Sequence, residues 1–142
     1  MKPADKLLTN GSVLCVGVSG LAYGWLLYFG ETEDEFGPVQ HPWTPDLQLL
    51  HVLTAPLFVF ALGLIWRYHV VQKLRSGAPQ RRRTGVVVAS QSLPMIATGY
   101  ALQVCVDEGW RTLWTWSHVA TSLVFCVGFG AHLLASVSRR RA

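Results

Sequence analysis

Four histidines lie in or at the ends of two long apolar stretches, His51 and His69 in the second stretch and His118 and His132 in the fourth. Histidines are rare inside segments that can cross a membrane, and their presence there indicates a function by default. At about 100° of rotation per residue, the eighteen steps from His51 to His69 complete about five helical turns. The fourteen steps from His118 to His132 fall about 40° short of four turns. Each helix is therefore predicted to present both of its imidazoles on one face.

Two levels of imidazoles on two facing helices point to metal ligation. The simplest group that fits them is a pair of b-type haems, each held by two histidines, with one haem near each membrane surface. Along straight helices the two levels are about 27 Å apart in the second stretch and about 21 Å apart in the fourth. The difference of about 6 Å has to be absorbed, and we expect a kink at Pro56, helix tilt or an inclined haem plane to absorb it.

The elements that must position these histidines are membrane helices. The chain has 142 residues, of which 51% are hydrophobic and 14% charged, and its mean hydropathy is +0.32. Four apolar segments, 12–29, 47–71, 85–106 and 113–137, each approach the ~20 residues that cross a bilayer. We therefore predict an all-α integral membrane four-helix bundle that forms a single domain over residues 1–142. The first segment lacks a convincing cleavage site and is expected to be retained as a helix.

The charged residues predict the orientation of these helices. Basic residues flank the connection between the second and third segments and close the chain, whereas acidic residues occupy the first connection. The basic residues are Arg67, Lys73, Arg75, Arg81, Arg82, Arg83, Arg139, Arg140 and Arg141, and the acidic ones are Glu31, Glu33, Asp34, Glu35 and Asp46. The positive-inside rule then places both termini in the cytoplasm. The net charge of +4 is read as a signal for topology and lipid contact, and no nucleic-acid partner is expected.

This topology sorts the histidines by depth. His51 and His118 are predicted to bind an outer haem, and His69 and His132 an inner one. Arg111 is placed to contact the propionates of the outer haem and Arg67 those of the inner haem. His41, in the first connection, is read as a loop residue, with proton transfer or quinone contact as the alternative.

Other polar and small residues allow two readings each. The third segment has no histidine, but it carries Pro94 and a polar face, and we expect it to close the bundle and to line a quinone or water pocket. The residues of this polar face are Ser90, Gln91, Ser92 and Thr98. Small residues such as Gly128 make room for a porphyrin or serve ordinary helix packing, and the stretch 20–24 is typical of packing. Phenylalanines on or near the histidine faces wall the haems or belong to a plain core; these are Phe58, Phe125 and Phe129. The three cysteines form neither a c-type haem attachment motif nor an iron–sulfur spacing.

Short motifs around these histidines resemble a known family. They are HVLTAP at 51–56, WRYHV at 66–70, PMIATGYALQ at 94–103, WSH at 116–118 and GFGAH at 128–132. Over residues 47–134 the chain resembles prokaryotic membrane cytochrome b subunits, a group that includes cytochrome b561-like proteins and the gamma subunits of formate dehydrogenases and nickel hydrogenases. The resemblance implies four helices, two haems b and ligand roles for the same four histidines. Some members take a ligand from the first helix, whereas segment 12–29 has no histidine.

The predicted function is a membrane-anchoring electron-transfer subunit of an oxidoreductase complex, without a catalytic centre of its own. The resemblance implies a multi-pass protein of the bacterial inner membrane that passes electrons between the quinone pool and a periplasmic c-type cytochrome or iron–sulfur subunit. Trp43, the acidic first connection and the loop at 107–108 offer a docking surface for that partner. Two alternatives stay open: a small transporter whose histidines relay protons or ions, and a structural membrane subunit without redox chemistry.

Overall fold

The computed structural model describes residues 2–34, 37–76 and 82–138. Four of its helices are long and apolar enough to cross a membrane, which confirms the predicted all-helical membrane architecture. Some of the charges used for the predicted orientation lie outside the described residues, namely Glu35, Arg81, Arg139, Arg140 and Arg141. The predicted orientation of the termini stays a prediction.

The elements follow one another with short connections. Helix α1 spans Pro3–Phe29, strands β1 and β2 span Thr32–Asp34 and Gly37–Val39, and helix α2 spans Thr44–Ile65. A π-helical segment, Trp66–Val71, and a short helix α3, Gln72–Arg75, continue directly from α2. Helix α4 spans Arg82–Val104, and α5 spans Glu108–Ser138.

All four membrane helices begin earlier than their apolar segments predict, because their first turns are polar. Asp107 caps α5: its Oδ1 accepts a hydrogen bond of 3.0 Å from the backbone N–H of Trp110, which is the usual way to satisfy a free donor in a first turn. At α1, Asp5 accepts a bond of 3.3 Å from the backbone N–H of Lys2. Hydropathy locates the apolar part of a helix that can span the membrane, whereas the capping interactions determine the residue at which the helix begins.

A small antiparallel hairpin, which the sequence did not predict, lies between α1 and α2. Thr32 pairs with Val39 and Asp34 with Gly37. Gly37 has a φ of +117°, a conformation that glycine adopts without a steric penalty. Each strand has three residues, too few for an alternating pattern to show in the sequence.

The helices form two compact units, Met1–Arg67 and Tyr68–Ala142. In the first unit α1 packs against α2, and in the second α4 packs against α5. The buried face of α2 carries Phe58, Ala61, Leu62 and Ile65. In the second unit the most deeply buried side chains are Phe125 and Ser92, at 3% and 0% exposure. Phe58 and Phe125 thus belong to the packed interior of their own units.

Large apolar side chains cover the outside of these units. On α2 the exposed positions Leu53, Leu57, Phe60 and Leu64 follow helical spacing along one face. Soluble proteins rarely expose continuous apolar faces of this length to water. Hydrocarbon is the solvent that suits them, in agreement with four membrane-spanning helices.

Candidate functional site

His51 lies on the face of α2 that packs against α1. Its Nδ1 is 3.0 Å from the carbonyl oxygen of Val16 and 3.5 Å from the Oγ of Ser19. A Cβ atom added at Gly20 would lie only 2.6 Å from the Cε1 of the ring and 2.8 Å from its Nδ1. The imidazole therefore occupies the space that any other residue at position 20 would fill.

His118, near the start of α5, is held in the same way by α4. Its Nδ1 is 3.0 Å from the carbonyl oxygen of Met95 and 3.2 Å from the Oγ1 of Thr98. A Cβ at Gly99 would lie 3.1 Å from its Cε1. We call this arrangement a hydroxyl–glycine seat: a helix carbonyl at residue n, a serine or threonine at n+3 and a glycine at n+4.

The glycine is what makes a helix carbonyl available to a side chain from another helix. A helix carbonyl points along the axis toward residues n+3 and n+4, and the Cβ of each residue tilts back toward the N-terminus. An ordinary side chain at n+4 therefore covers the carbonyl at n. Gly20 and Gly99 remove this cover, and the small side chains of Ser19 and Thr98 leave the adjacent side open. An imidazole can then approach to hydrogen-bonding distance.

His132 has a third seat near the start of α4. Its Nδ1 is 3.1 Å from the Oγ1 of Thr84, and a Cβ at Gly85 would lie 3.4 Å from its Cε1. The carbonyl that corresponds to those of Val16 and Met95 belongs to Arg81, which lies outside the described residues. The described part of this seat is thus the hydroxyl and the glycine.

The two seats of the second unit keep a common register. Thr98 meets His118 and Thr84 meets His132, so fourteen residues on α4 match fourteen on α5 in the antiparallel sense. Both imidazoles lie on the face of α5 that packs against α4, which confirms the prediction that His118 and His132 share one face. At 1.5 Å per residue they stand about 21 Å apart along the helix.

The hydrogen bonds fix the tautomer of two imidazoles. A carbonyl oxygen only accepts, so the Nδ1 atoms of His51 and His118 must each carry a proton to bond Val16 and Met95. The neighbouring hydroxyls agree, since Ser19 donates to the carbonyl of Cys15 at 2.8 Å and Thr98 donates to that of Pro94 at 2.8 Å. Their oxygens therefore remain as acceptors for Nδ1–H. In a neutral ring the lone pair then lies on Nε2, one of the two ring nitrogens that can ligate a metal.

His69 differs from the other three because it lies in the π-helical segment Trp66–Val71. π-helical turns are uncommon and occur frequently at functional sites. The predicted rise of about 27 Å and the predicted common face of His51 and His69 assume α-helical geometry throughout. That geometry does not hold across this segment, and the common face of these two residues stays a prediction. Pro56, where a kink is predicted, lies inside helix α2, which is continuous from Thr44 to Ile65. The kink itself stays a prediction.

His41 lies in the turn before α2, and its Nδ1 accepts a hydrogen bond, whereas the Nδ1 atoms of His51 and His118 donate one. The backbone N–H of Trp43 donates to its Nδ1 at 3.2 Å, and the two rings contact edge to face with centroids 5.8 Å apart. Because its Nδ1 accepts, a neutral His41 carries its proton on Nε2. The same residue also accepts the backbone N–H of Thr44 through its carbonyl, at 2.9 Å. His41 thus shapes the turn into α2, as expected of a loop residue.

The two arginines predicted to contact propionates are both exposed. Arg111 follows the loop between α4 and α5, and its Nη1 donates to the carbonyl of Cys105 at 3.4 Å. A guanidinium has five N–H donors, so this bond leaves capacity for an anion. Arg67 lies in the π-helical segment. Within the described ranges no three or more histidine, cysteine or acidic side chains cluster around a possible metal ion, whereas an axially ligated haem iron takes only two protein ligands.

The sequence alone does not predict these seats. The stretch 20–24 predicts a packing role for Gly20 and Gly24, yet of these two only Gly20 lies against a histidine, and nothing stands within 4 Å of a Cβ at Gly24. Thr98 belongs to the polar face predicted on the third membrane helix, and it contacts His118. The sequence does contain a pattern that could have identified the seats. Three Ser/Thr–Gly pairs occur within the described membrane helices, at 19–20, 84–85 and 98–99, and the glycine of each pair lies against a histidine ring.

Comparisons with known proteins leave the function to be argued from these residues. The sequence matches no family model and no curated protein, and the fold matches no solved structure.

Proposed function

We propose that this protein is a membrane-embedded electron-transfer subunit that carries two b-type haems. His51 and His118 would ligate an outer haem, and His69 and His132 an inner one. The observation that carries the proposal is the pair of bonds from Nδ1 of His51 and His118 to helix carbonyls, each of 3.0 Å. Metal-ligating histidines almost always donate their second ring N–H to a carbonyl, carboxylate or water.

The described residues fit a haem iron better than a proton relay. A relay needs imidazoles that exchange protons at both ring nitrogens, whereas His51 and His118 have Nδ1 committed to a carbonyl of the neighbouring helix. Hydroxyls along the membrane helices likewise donate within their own helix, as Ser92 does to Ala89 at 2.8 Å and Thr121 to Ser117 at 2.8 Å. Such local bonds satisfy polar groups in hydrocarbon without a file of water.

The arrangement on α5 supports two haem levels. His118 and His132 share a face and stand about 21 Å apart along the helix axis, a distance that places one imidazole toward each surface of a hydrocarbon core of about 30 Å. Bound haem would supply reversible one-electron redox chemistry. The protein's own part is to hold the imidazoles, to exclude water from them and to fix their depth.

Four membrane crossings put both termini on one side of the membrane, and the charge pattern favours the cytoplasm for that side. Arg67, Lys73 and Arg75 lie between the second and third crossings, whereas Glu31 and Glu33 lie between the first and second. By the positive-inside rule the β1–β2 hairpin then faces the periplasm of a bacterial inner membrane. Surrounding lipid would cover the apolar faces.

The partners follow from the short loops. The connection between α4 and α5 consists of residues 105–107, and the connection between α1 and α2, residues 30–43, contains the short hairpin. No separate catalytic domain is present in residues 2–34, 37–76 and 82–138, so we propose that the substrate chemistry belongs to a periplasmic c-type cytochrome or iron–sulfur subunit. Trp43, 68% exposed, and the hairpin would form the docking surface. Quinone would exchange electrons with the protein within the membrane.

A reduced-minus-oxidised absorbance spectrum of the purified full-length protein tests this proposal. A haem b difference spectrum that is weakened in both His51→Ala and His118→Ala would support ligation by this pair. A protein that shows no visible absorbance but moves protons in vesicles would be a transporter, and one that shows neither would be structural. Either result would overturn the proposal.

A further inference from the structure

The hydroxyl–glycine seats offer more than packing, because they act on one particular ring atom. In the two fully described seats the contact falls on Nδ1, at 3.0 Å from a carbonyl in both cases. The hydroxyl contacts are longer, 3.5 Å for Ser19 and 3.2 Å for Thr98. By distance the carbonyl is the main acceptor in each seat, and only the Thr98 hydroxyl adds a contact within normal hydrogen-bonding range.

The chain contains an internal contrast to these two imidazoles. His41 accepts a backbone N–H at Nδ1, whereas His51 and His118 donate from Nδ1. The neutral forms are therefore opposite tautomers. A histidine that merely filled space between helices would have no need of one tautomer, because either nitrogen can point toward a neighbour.

We propose that Gly20 with Ser19, and Gly99 with Thr98, are positioning residues that hold His51 and His118 with the proton on Nδ1 before any haem binds. Each seat opens a helix carbonyl, the carbonyl fixes the Nδ1–H tautomer, and the tautomer presents the Nε2 lone pair to the iron. The inference rests on the proposed function, since the iron is the ligand that gives the orientation its purpose. At His132 the described contacts, with the Oγ1 of Thr84 at 3.1 Å and with Gly85, would likewise help to hold the ring in place.

The seats are not equally dependent on their hydroxyls. At His118 two acceptors share the proton, at 3.0 and 3.2 Å, so removal of the Thr98 hydroxyl should loosen the ring. At His51 the hydroxyl contact of 3.5 Å is marginal, so Ser19→Ala should have a smaller effect. This difference separates positioning of a ring from general helix packing, because both substitutions remove one polar atom from a helix interface.

The test measures the tautomers directly in the haem-free full-length protein. The chain, labelled with ¹⁵N at histidine and held in detergent at about pH 8, where ordinary imidazoles are neutral, is examined by two-bond ¹H–¹⁵N correlation. His51 and His118 should carry their protons on Nδ1, and His41 should carry its proton on Nε2. Gly20→Ala should give a mixture of tautomers at His51, because its Cβ would lie 2.6 Å from the ring Cε1 and would move the imidazole away from the carbonyl of Val16. Thr98→Val should keep Nδ1–H as the main form at His118, because the carbonyl of Met95 remains.

Titration with haem provides the second readout. Loss of a residue that orients a metal ligand typically lowers affinity by about 10- to 100-fold, and we expect a fall in that range for Gly99→Ala and toward its lower end for Thr98→Val. Parent protein that binds two haems while Gly20→Ala keeps both the parent affinity and the parent tautomer at His51 would overturn this inference alone. Parent protein that binds no haem would overturn the proposed function together with the iron-directed role of the seats.

Discussion

His51 rests against Gly20 so closely that a Cβ at position 20 would lie 2.6 Å from the ring carbon Cε1. Real Cβ contacts are not this short, so no larger residue fits there while the imidazole keeps its place. The bond from Nδ1 to the carbonyl of Val16, at 3.0 Å, exists because that space is empty. A glycine that looks like a helix-packing residue in the sequence is thus a determinant of histidine geometry.

Gly20→Ala should therefore displace His51 and weaken the outer haem. We expect haem affinity at that site to fall by about 10- to 100-fold, as for loss of a ligand-orienting partner, measured by haem titration of the purified protein. Gly24→Ala is the matched control, because it lies one turn further along α1 and nothing stands within 4 Å of its added Cβ. Equal haem binding in the two variants would contradict the account.

Thr84→Val should shift the midpoint potential of the proposed inner haem. The Oγ1 of Thr84 is 3.1 Å from the Nδ1 of His132, and valine replaces the hydroxyl at nearly equal volume. A potentiometric titration should show a shifted midpoint for one haem, while the haem that depends on His118 keeps its parent value. Thr84→Ser should restore the parent curve. A shift of both haems, or of neither, would show that this hydroxyl does not act on His132 in the proposed way.

His41→Ala should leave the haem content unchanged. Its Nδ1 accepts the backbone N–H of Trp43, so the ring supports the turn into α2 instead of presenting a lone pair to the membrane interior. The measurement is the ratio of haem to protein in the variant and the parent. Loss of a haem in this variant would assign His41 a ligand role that the structure does not indicate.

Ser92→Leu should destabilise the second unit. Ser92 is fully buried, at 0% exposure, and added methylene groups in a packed interior cost about 1–3 kcal/mol. Ser92→Ala should cost less than about 1.5 kcal/mol, the upper range for one net hydrogen bond, because the lost hydroxyl bonds only Ala89 in its own helix, at 2.8 Å. Reversible unfolding in mixed micelles measures both, and similar losses for the two variants would be at odds with tight packing around this residue.

Much of the fold follows from hydropathy and helical periodicity. Four apolar lengths predict four membrane helices, and the fourteen-residue spacing correctly places His118 and His132 on one face of α5. The hairpin was missed because its strands have three residues each, too short for a period of two to appear. The π-helical segment was missed because sequence reasoning applied α-helical rotation through Trp66–Val71.

The site was predicted less completely than the fold. The histidines stand out by type and position, since few polar residues are tolerated in apolar segments. Their supports do not stand out, because Ser19 and Thr98 look like ordinary helix hydroxyls and Gly20 and Gly99 look like packing residues. Only the contact with a histidine of the neighbouring helix gives them a role, and that contact depends on the antiparallel register of two helices. The pairing of His51 with His118 and of His69 with His132 as haem ligands stays a prediction.

The count of haems per chain tests the central claim most directly. A pyridine haemochrome assay on the purified full-length protein, combined with an independent protein determination, should give two haems b per chain, and His69→Ala should give one. A parent protein that contains no haem b would contradict the account, provided that it is expressed with haem in sufficient supply and that circular dichroism shows it to be folded.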